Sequence, residues 1–202
     1  MNKKKIVDEI KKGNLVITPT DTVYGIMADA TNIKAIERVY ECKQRDEKKP
    51  LLLLVGSINM LKKYTKNLNH LEEEIIQKYL PGKLTILLHK NDKVNDKITS
   101  GTDLVGIRIP NNKELIQIIN EIGNPVISTS ANISGQNTIT NPKEIKKELL
   151  KHISYVEDAG IINNEPSSII KIENEKITII RKESVAIQMM KDYPDNIGFN
   201  VK

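Results

Sequence analysis

The sequence predicts an α/β protein: a single domain with a twisted, mixed β-sheet and helices on both sides. Short apolar runs of strand type alternate with amphipathic helical segments along the whole chain. No repeat with a period of 20 to 50 residues and no low-complexity linker divides the 202 residues, a length that suits one medium domain. With 28% charged and 39% apolar residues, the chain has the composition of a folded protein.

The first half of the chain begins with a helix and then alternates. Ile6, Val7 and Ile10 share one helical face, and Gly13 ends that helix just before a β-branched strand at Leu15. Asn32 is typical of an N-cap for the next helix, which ends near Cys42. The other elements predicted in this half are strands at 23–27, 51–55 and 84–88 and helices at 58–64 and 68–80.

The second half continues the alternation around two polar loops, at 90–101 and 130–140. The predicted elements are strands at 105–110, 125–129, 155–157, 168–172 and 176–180 and helices at 113–122 and 143–150. The run 51–55 is short and does not alternate, which indicates a strand buried on both faces of the sheet. We therefore expect a catalytic domain over residues 1–182 and a C-terminal tail over 183–202.

Composition limits the classes of function. Thirty-one basic against twenty-six acidic residues give a net charge of +5, which favours an anionic ligand. The single cysteine, Cys42, excludes an internal disulfide and a zinc site made of cysteines, and it suits a reducing compartment. The longest apolar run, residues 51–55, is far below the roughly 20 residues that a membrane span requires. The N-terminus lacks the apolar core of a signal peptide, so we expect a cytoplasmic protein.

Standard catalytic motifs are missing from the sequence. It contains no Walker A segment, no G-x-G-x-x-G, no H-E-x-x-H and no G-x-S-x-G. His70, His89 and His152 are scattered, so ordinary surface positions explain them better than metal or triad chemistry.

Polar loops that follow apolar strands carry the remaining chemistry. They supply hydroxyls, amides and cations but few carboxylates, a combination suited to an anion at the strand ends of an α/β sheet. The segments are PTDTVYG (19–25), KQRDEKKPL (43–51), VGIRIP (105–110), STSANISG (128–135) and PSSII (166–170).

Three of these segments have competing interpretations. Lys43, Arg45, Lys48 and Lys49 place four cations within seven residues, which could hold a polyphosphate or could simply be a solvated helix end. Arg108 lies on a strand face opposite Ile107 and Ile109, so it either binds a carboxylate through its guanidinium fork or is merely solvated. The hydroxyls and amide of residues 128–132 could likewise line a ligand site or form turns and caps.

Taken together and in this order, the segments resemble the YrdC/Sua5 family, the threonylcarbamoyl-AMP synthases. The resemblance spans about residues 13–181. It rests on PT-x-T-x-YG, the K-x-R pair, PG-x-LT at 81–85, the R-x-P strand and S-x-S-AN-x-SG. It implies one domain around a large basic cavity, and a short form of YrdC type without an additional C-terminal domain. It also implies a nucleotidyltransferase that joins L-threonine, bicarbonate or CO2, and ATP into L-threonylcarbamoyl-AMP and pyrophosphate, normally with Mg²⁺.

The resemblance also implies roles for individual residues. L-Threonine would be held by Thr22, Arg108, Ser128 and Ser167. ATP would be held by Lys43, Arg45, Lys49, Ser130, Asn132, Thr138 and Arg181. Lys43, Arg45 and Arg108 would be the catalytic residues, and no metal ligand is indicated. Two positions depart from the family pattern: Leu54, where many members have His, and Ser168 in a segment that usually reads E-S-T-I.

The product would serve the t6A modification of tRNA, so the implied partners are the downstream tRNA threonylcarbamoyl transferase machinery. A non-enzymatic RNA-binding module is the main alternative, because a basic cavity also suits a phosphate backbone. Only 3% of the residues are aromatic, which disfavours stacking of single-stranded bases but leaves duplex RNA open. A third interpretation, the carbamoyl-adenylate step of hydrogenase maturation, belongs to a related domain of much longer proteins.

Overall fold

A computed structural model describes residues 1–193 and 198–201. Its helices are α1 (Lys3–Lys11), α2 (Ile33–Lys43), α3 (Ile58–Tyr64), α4 (His70–Tyr79), α5 (Asp96–Thr99), α6 (Lys113–Ile122), α7 (Lys147–Leu150) and α8 (Ser184–Asp192). Its strands are β1 (Leu15–Thr18), β2 (Gly25–Asp29), β3 (Leu52–Leu54), β4 (Leu84–His89), β5 (Leu104–Arg108), β6 (Val126–Ser130), β7 (Ile153–Val156), β8 (Ser168–Glu173), β9 (Lys176–Arg181) and β10 (Gly198–Val201).

The described strands form one mixed sheet in the order β10-β9-β8-β4-β5-β3-β6-β2-β1-β7. The strand β3 pairs parallel with β5 and antiparallel with β6, so it lies in the middle of the sheet, as its apolar run predicts. The predicted α/β fold with a mixed sheet is therefore confirmed.

Alternating residues of β1, β2, β3 and β6 supply two separate cores. On one face, α1 and α6 pack against Val16, Met27, Leu54 and Val126. On the other face, Leu15 and Ile17 join the core beneath α2. Helices thus cover both sides of the sheet, and hydrophobic burial of both faces stabilises it.

The first of these faces is covered at only one end. Leu54 is paired with Arg108 across β3 and β5, and Leu52 is paired with Gly106 one step along the same face. Leu54 packs into the core beneath α1 and α6, whereas Leu52, Gly106 and Arg108 line an open cavity. Strand alternation therefore directs Arg108 into the cavity and sends Ile107 to the opposite core.

The predicted helix at 143–150 is wrong as one continuous element. It consists of a 3-10 turn, Pro142–Glu144, and the short helix α7. Ile145 between them is extended (ψ 125°). Ile145 and Leu149 are both buried, so tertiary packing prevails over the helical periodicity of the segment.

The segment expected to be a C-terminal tail packs on the domain wherever the structure describes it. In α8, Ala186 and Met189 are buried in the core that contains Ile170 and Ile172 of β8. That core lies on the opposite face of the sheet from the cavity, which Ile169 and Lys171 line. Beyond α8, β10 adds a parallel strand next to β9. The division into a catalytic domain over residues 1–182 and a tail over residues 183–202 stays a prediction.

Polar contacts tie the end of α8 to α4. The Tyr79 hydroxyl donates to Asp192 Oδ2 (2.5 Å), and the Tyr193 hydroxyl donates to Glu74 Oε1 (2.6 Å). Lys78 Nζ lies 3.1 Å from Asp192 Oδ2 and 4.6 Å from the centre of the Tyr193 ring. Hydrogen bonds from Tyr79, Gln188 and Lys78 lower the pKa of Asp192 to about 2. The contacts hold α8 on the face away from the cavity.

Among the described helices, none combines the length and apolar character needed to cross a bilayer.

Candidate active site

A cavity of about 610 Å³ opens on the uncovered part of the sheet face, a size typical of a small-molecule site. Its wall comes from β3, β4, β5 and β6, and its edge comes from loops after α2 and β6. Four of its lining residues are cationic, and none of those described is Asp or Glu: Arg45, Arg108, Lys171 and Arg181.

Arg108 is buried in the wall, with 4% of its surface exposed. Its Nη2 donates to Asp21 Oδ1 (3.0 Å), and its Nη1 donates to Thr22 Oγ1 (3.2 Å). Its Nε is buried and finds no partner within the described part of the chain. Burial lowers the pKa of Arg108, Asp21 opposes that shift, and the guanidinium stays charged. Arg108 therefore presents a buried cation with one unused donor.

The PTDT loop holds the side chains that contact Arg108. The Asp21 carboxylate also accepts from the Asn111 backbone N–H at Oδ2 (3.0 Å). The Thr20 hydroxyl donates to the Val23 carbonyl (2.7 Å) and lies 2.9 Å from the Thr22 hydroxyl. Because Thr20 has one hydroxyl proton, Thr22 is the donor in that pair, so the loop is held by a continuous chain of bonds.

A second cluster lies across the cavity, where β4, the residue before β8 and the end of β9 meet. Arg181 Nε donates to the Ser167 carbonyl (2.6 Å), and its Nη2 donates to Ser167 Oγ (3.0 Å). Ser167 Oγ also lies 2.8 Å from Thr85 Oγ1. Burial lowers the pKa of Arg181. The cluster gives the cavity two oriented hydroxyls beside a second guanidinium.

Two glycines keep the wall open between these clusters. A Cβ added at Gly25 would lie 2.9 Å from Ser128 Oγ, which is closer than real Cβ contacts allow. A Cβ at Gly106 would lie 3.3 Å from Thr85 Cγ2 and 3.5 Å from Leu52 Cβ. A side chain at Gly25 would crowd Ser128, and one at Gly106 would crowd Thr85 and Leu52, so these glycines leave room for Ser128 and Thr85 at the wall.

Lys43 is turned away from the cavity and holds the loop after β6. Its Nζ donates to the Ser130 carbonyl (2.5 Å), the Asn132 carbonyl (2.7 Å) and Asn132 Oδ1 (3.3 Å). Only 1% of Lys43 is exposed, and burial, followed by the charge of Arg45, lowers its pKa to about 8. In this arrangement the ammonium fixes the backbone that carries Ser130.

The remaining predicted nucleotide residues lie at or near the cavity edge. Arg45 lines it and donates from Nε to the Lys49 carbonyl (3.0 Å) and from Nη2 to the Pro50 carbonyl (2.8 Å). Thr138 lines the same edge. The Lys49 side chain is exposed and lies outside the lining. Asn132 accepts from Ser130 Oγ (2.5 Å) and borders a smaller neighbouring cavity.

The structure thus brings eight predicted site residues to one cavity: Thr22, Arg45, Arg108, Ser128, Ser130, Thr138, Ser167 and Arg181. Lys43, Lys49 and Asn132 stand beside it rather than in its lining. Sequence reasoning missed Asp21, although it lies inside a quoted motif, because a carboxylate did not fit the expected anion site. It also missed Thr85, for which the PG-x-LT stretch was the available signal.

The two departures from the family pattern lie in different places. Ser168 is fully buried on the far face of β8, where its hydroxyl accepts from the Ala186 backbone N–H (3.0 Å), so it contacts α8 and not the cavity. Leu54 is fully buried in the core next to Arg108. Only the Leu54 departure is placed where it could affect the cavity.

The described residues offer no cluster of three or more His, Cys, Asp or Glu that could ligate a metal. Burial raises the pKa of Cys42 to about 11, so its thiol is a packing group rather than a nucleophile. The cavity therefore suits chemistry that depends on cations, hydroxyls and position.

Fold and site together define an α/β protein with a cavity on the face of a mixed sheet, lined by cations and hydroxyls. The profile of the Sua5/YciO/YrdC family, described as "Telomere recombination", matches residues 8–183. The chain belongs to this family.

Relatives agree with this assignment. A candidate threonylcarbamoyl-AMP synthase of Methanocaldococcus jannaschii is 43% identical over 93% of this chain and 90% of its own length. The threonylcarbamoyl-AMP synthase of Mus musculus is 32% identical over 80% of this chain, which spans 56% of the mouse protein. The crystal structure of P. abyssi Sua5 complexed with L-threonine has a TM-score of 0.90 and 27% identity, covering 98% of this chain and 58% of that chain.

Proposed function

We propose that this chain is an L-threonylcarbamoyladenylate synthase. It would convert L-threonine, bicarbonate or CO2, and ATP into L-threonylcarbamoyl-AMP and pyrophosphate. One observation carries the proposal: Arg108 and Arg181 face a single cavity with the hydroxyls of Ser128, Ser130 and Ser167. Relatives named for this activity, one of them 43% identical, support it.

The wall around Arg108 would hold the amino acid. A guanidinium with an unused buried Nε can accept a carboxylate in charge-assisted hydrogen bonds. Ser128 and Ser167 would then orient the rest of the molecule, and Thr22 would keep Arg108 in place. L-Threonine in the related P. abyssi structure supports an amino-acid ligand of this kind.

The edge with Arg45, Thr138 and Ser130 would hold the nucleotide together with Arg181, which lines the same cavity. Lys43 would act through the loop that it holds, and Lys49 and Asn132 would assist from beside the cavity. Arg45 and Arg181 are partly buried, so their charges are less screened than charges at an open surface. The planar donors of a guanidinium group match the geometry of phosphate oxygens.

The chemistry needs two bond-forming steps. The threonine amine attacks the carbon of CO2 or bicarbonate and forms a carbamate, with a proton lost from nitrogen and, from bicarbonate, water released. A carbamate oxygen then attacks the α-phosphorus of ATP, and the bond to pyrophosphate breaks. The protein contributes by holding the reactants together and stabilising charge on the phosphates, with no covalent intermediate.

Mg²⁺ would enter as part of the substrate. No described carboxylate cluster offers it a site, whereas nucleotide phosphates and water are its usual ligands. The proposal therefore treats the metal as bound to ATP.

The proposal extends to t6A modification of tRNA in the cytoplasm, with transfer of the product to a downstream tRNA threonylcarbamoyl transferase. A single buried, reduced cysteine is compatible with that compartment. Direct contact with RNA stays an alternative.

Pyrophosphate release from ATP tests the proposal. Purified protein with Mg²⁺ and bicarbonate should release pyrophosphate with L-threonine and much less with L-serine, L-valine or no amino acid. Arg108→Ala should abolish the stimulation. Arg38→Ala is a matched control, because Arg38 Nη1 donates to the Gly13 carbonyl (3.2 Å) outside the cavity. Release that no amino acid stimulates would overturn the proposal, and RNA binding would become the function to pursue.

A further inference from the structure

We propose that Asp21 determines which carboxylates can bind Arg108. Asp21 already pairs with Arg108, so an incoming carboxylate must share the Arg108 guanidinium with it. Binding then requires further contacts in the cavity, which L-threonine can make and a simple anion cannot. This inference rests on the proposed function in one respect, that Arg108 receives the substrate carboxylate.

The three nitrogen atoms of the Arg108 guanidinium differ in their hydrogen-bond partners. Nη2 contacts Asp21 Oδ1 (3.0 Å) and Nη1 contacts Thr22 Oγ1 (3.2 Å), while Nε is buried and unpaired within the described residues. Arg108 is thus partly occupied rather than fully satisfied. A second carboxylate can be accepted only beside the first.

Asp21 is held in place. Only 8% of its side chain is exposed, and its Oδ2 accepts from the Asn111 backbone N–H (3.0 Å). Asn164 Nδ2 additionally donates to the Asp21 carbonyl (3.4 Å). A carboxylate held from two sides does not leave when a ligand arrives, so it stays as a fixed charge beside the binding position.

The consequence is electrostatic. A carboxylate about 3 Å from the guanidinium neutralises most of its field, and in a buried site that field is otherwise strong. A small anion that makes no other contacts therefore gains little binding free energy from Arg108 and is repelled by Asp21. A ligand that also contacts Ser128 and Ser167 gains the missing binding free energy from those contacts. In this way a site rejects competitors that share only one functional group with its ligand.

The test is binding of small carboxylates to Asp21→Asn, measured by titration calorimetry with acetate, glycine and L-threonine. We expect acetate to bind at least about tenfold more tightly than to the wild type, and glycine and L-threonine to gain less, because their ammonium groups lose the attraction of the Asp21 carboxylate. Equal gains for all three ligands would overturn the proposal. If Asp21 were merely structural, its loss would misplace Arg108 and weaken all three ligands together. That result, or unchanged acetate binding, would overturn the proposal.

Two variants complete the test. Thr22→Val removes the other Arg108 anchor while keeping the Asp21 charge, so it should weaken L-threonine without improving acetate. Asp21→Ser removes the same charge with a smaller side chain and carries the same expectation if the asparagine variant does not fold. These measurements need no turnover, so pyrophosphate release could fail while the acetate result stands, and the two proposals remain distinguishable.

Discussion

The strand wall of the cavity and its loop edge present positive charge in different ways. On the wall, Arg108 is carried by a central strand and is 4% exposed, with its partner Asp21 fixed beside it. At the edge, Arg45 follows a helix and binds two backbone carbonyls of its own loop. A central strand allows little adjustment, whereas a loop can adapt to its ligand. The wall therefore suits one compact ligand, and the edge suits a longer and more flexible one.

The largest expected effect comes from Arg108→Lys, which keeps the positive charge of the wall but removes the planar guanidinium group. Lysine can neutralise Asp21 but cannot offer the planar donors of guanidinium. We expect the KM for L-threonine to rise roughly 10- to 100-fold, the loss of one or two charge-assisted bonds, with a smaller change for ATP. Steady-state kinetics with each substrate varied would measure this.

The corresponding change at the edge, Arg45→Lys, is the comparison for that result. It should raise the KM for ATP more than the KM for L-threonine. Equal effects of both variants on both substrates would remove the distinction between wall and edge.

Lys43→Met tests whether the loop edge depends on its buried ammonium. The change leaves the Ser130 and Asn132 carbonyls without their donor, which should reduce the free energy of unfolding by about 3 kcal/mol. It should also raise the KM for ATP by roughly tenfold while changing that for L-threonine less. Urea unfolding and kinetics measure the two effects. Lys48→Met is the control, because Lys48 is exposed in the segment that follows α2.

The lowered pKa of Lys43 predicts that ATP binding at the loop edge depends on pH, whereas L-threonine binding at the wall does not. Its folded pKa is about 8 against an ordinary 10.5, so the unfolded chain binds more protons between these values. Folding stability from this group therefore rises with pH over that window. Neutral Lys43, however, has two N–H donors for three oxygens, so we expect the KM for ATP to increase above pH 8. Lys43→Arg should make that profile flatter, and an unchanged profile would contradict the assignment.

The smallest effect is expected from Tyr193→Phe, which removes the hydroxyl that donates to Glu74. The bond is exposed, so its loss should lower the free energy of unfolding by about 1 kcal/mol or less. Neither KM should change, because α8 packs on the face opposite the cavity. A rise in either KM would show that this end of the chain influences the site.

Elements with strong periodicity could be predicted from the sequence, and elements fixed by tertiary contacts could not. The strand face on which Arg108 lies follows from alternation, whereas the sequence alone left open whether that face is solvated or lines a site. Its pairing with Asp21 does not, because that contact joins residues 87 positions apart. Lys43 was expected to bind phosphate, but its inward direction depends on a loop 87 and 89 residues further along the chain. The split of helix 143–150 likewise depends on where Ile145 is buried.

The hydrogen bonds from Lys43 to the loop after β6 affect how members of the family can diverge in sequence. Two of its three acceptors are main-chain carbonyls, of Ser130 and Asn132, which every amino acid possesses. Side chains there can be replaced during evolution while this part of the anchor persists, so the edge can acquire new preferences gradually. Arg108 and Asp21 contact each other through side chains alone, so a change at either position would demand a compensating change at the other.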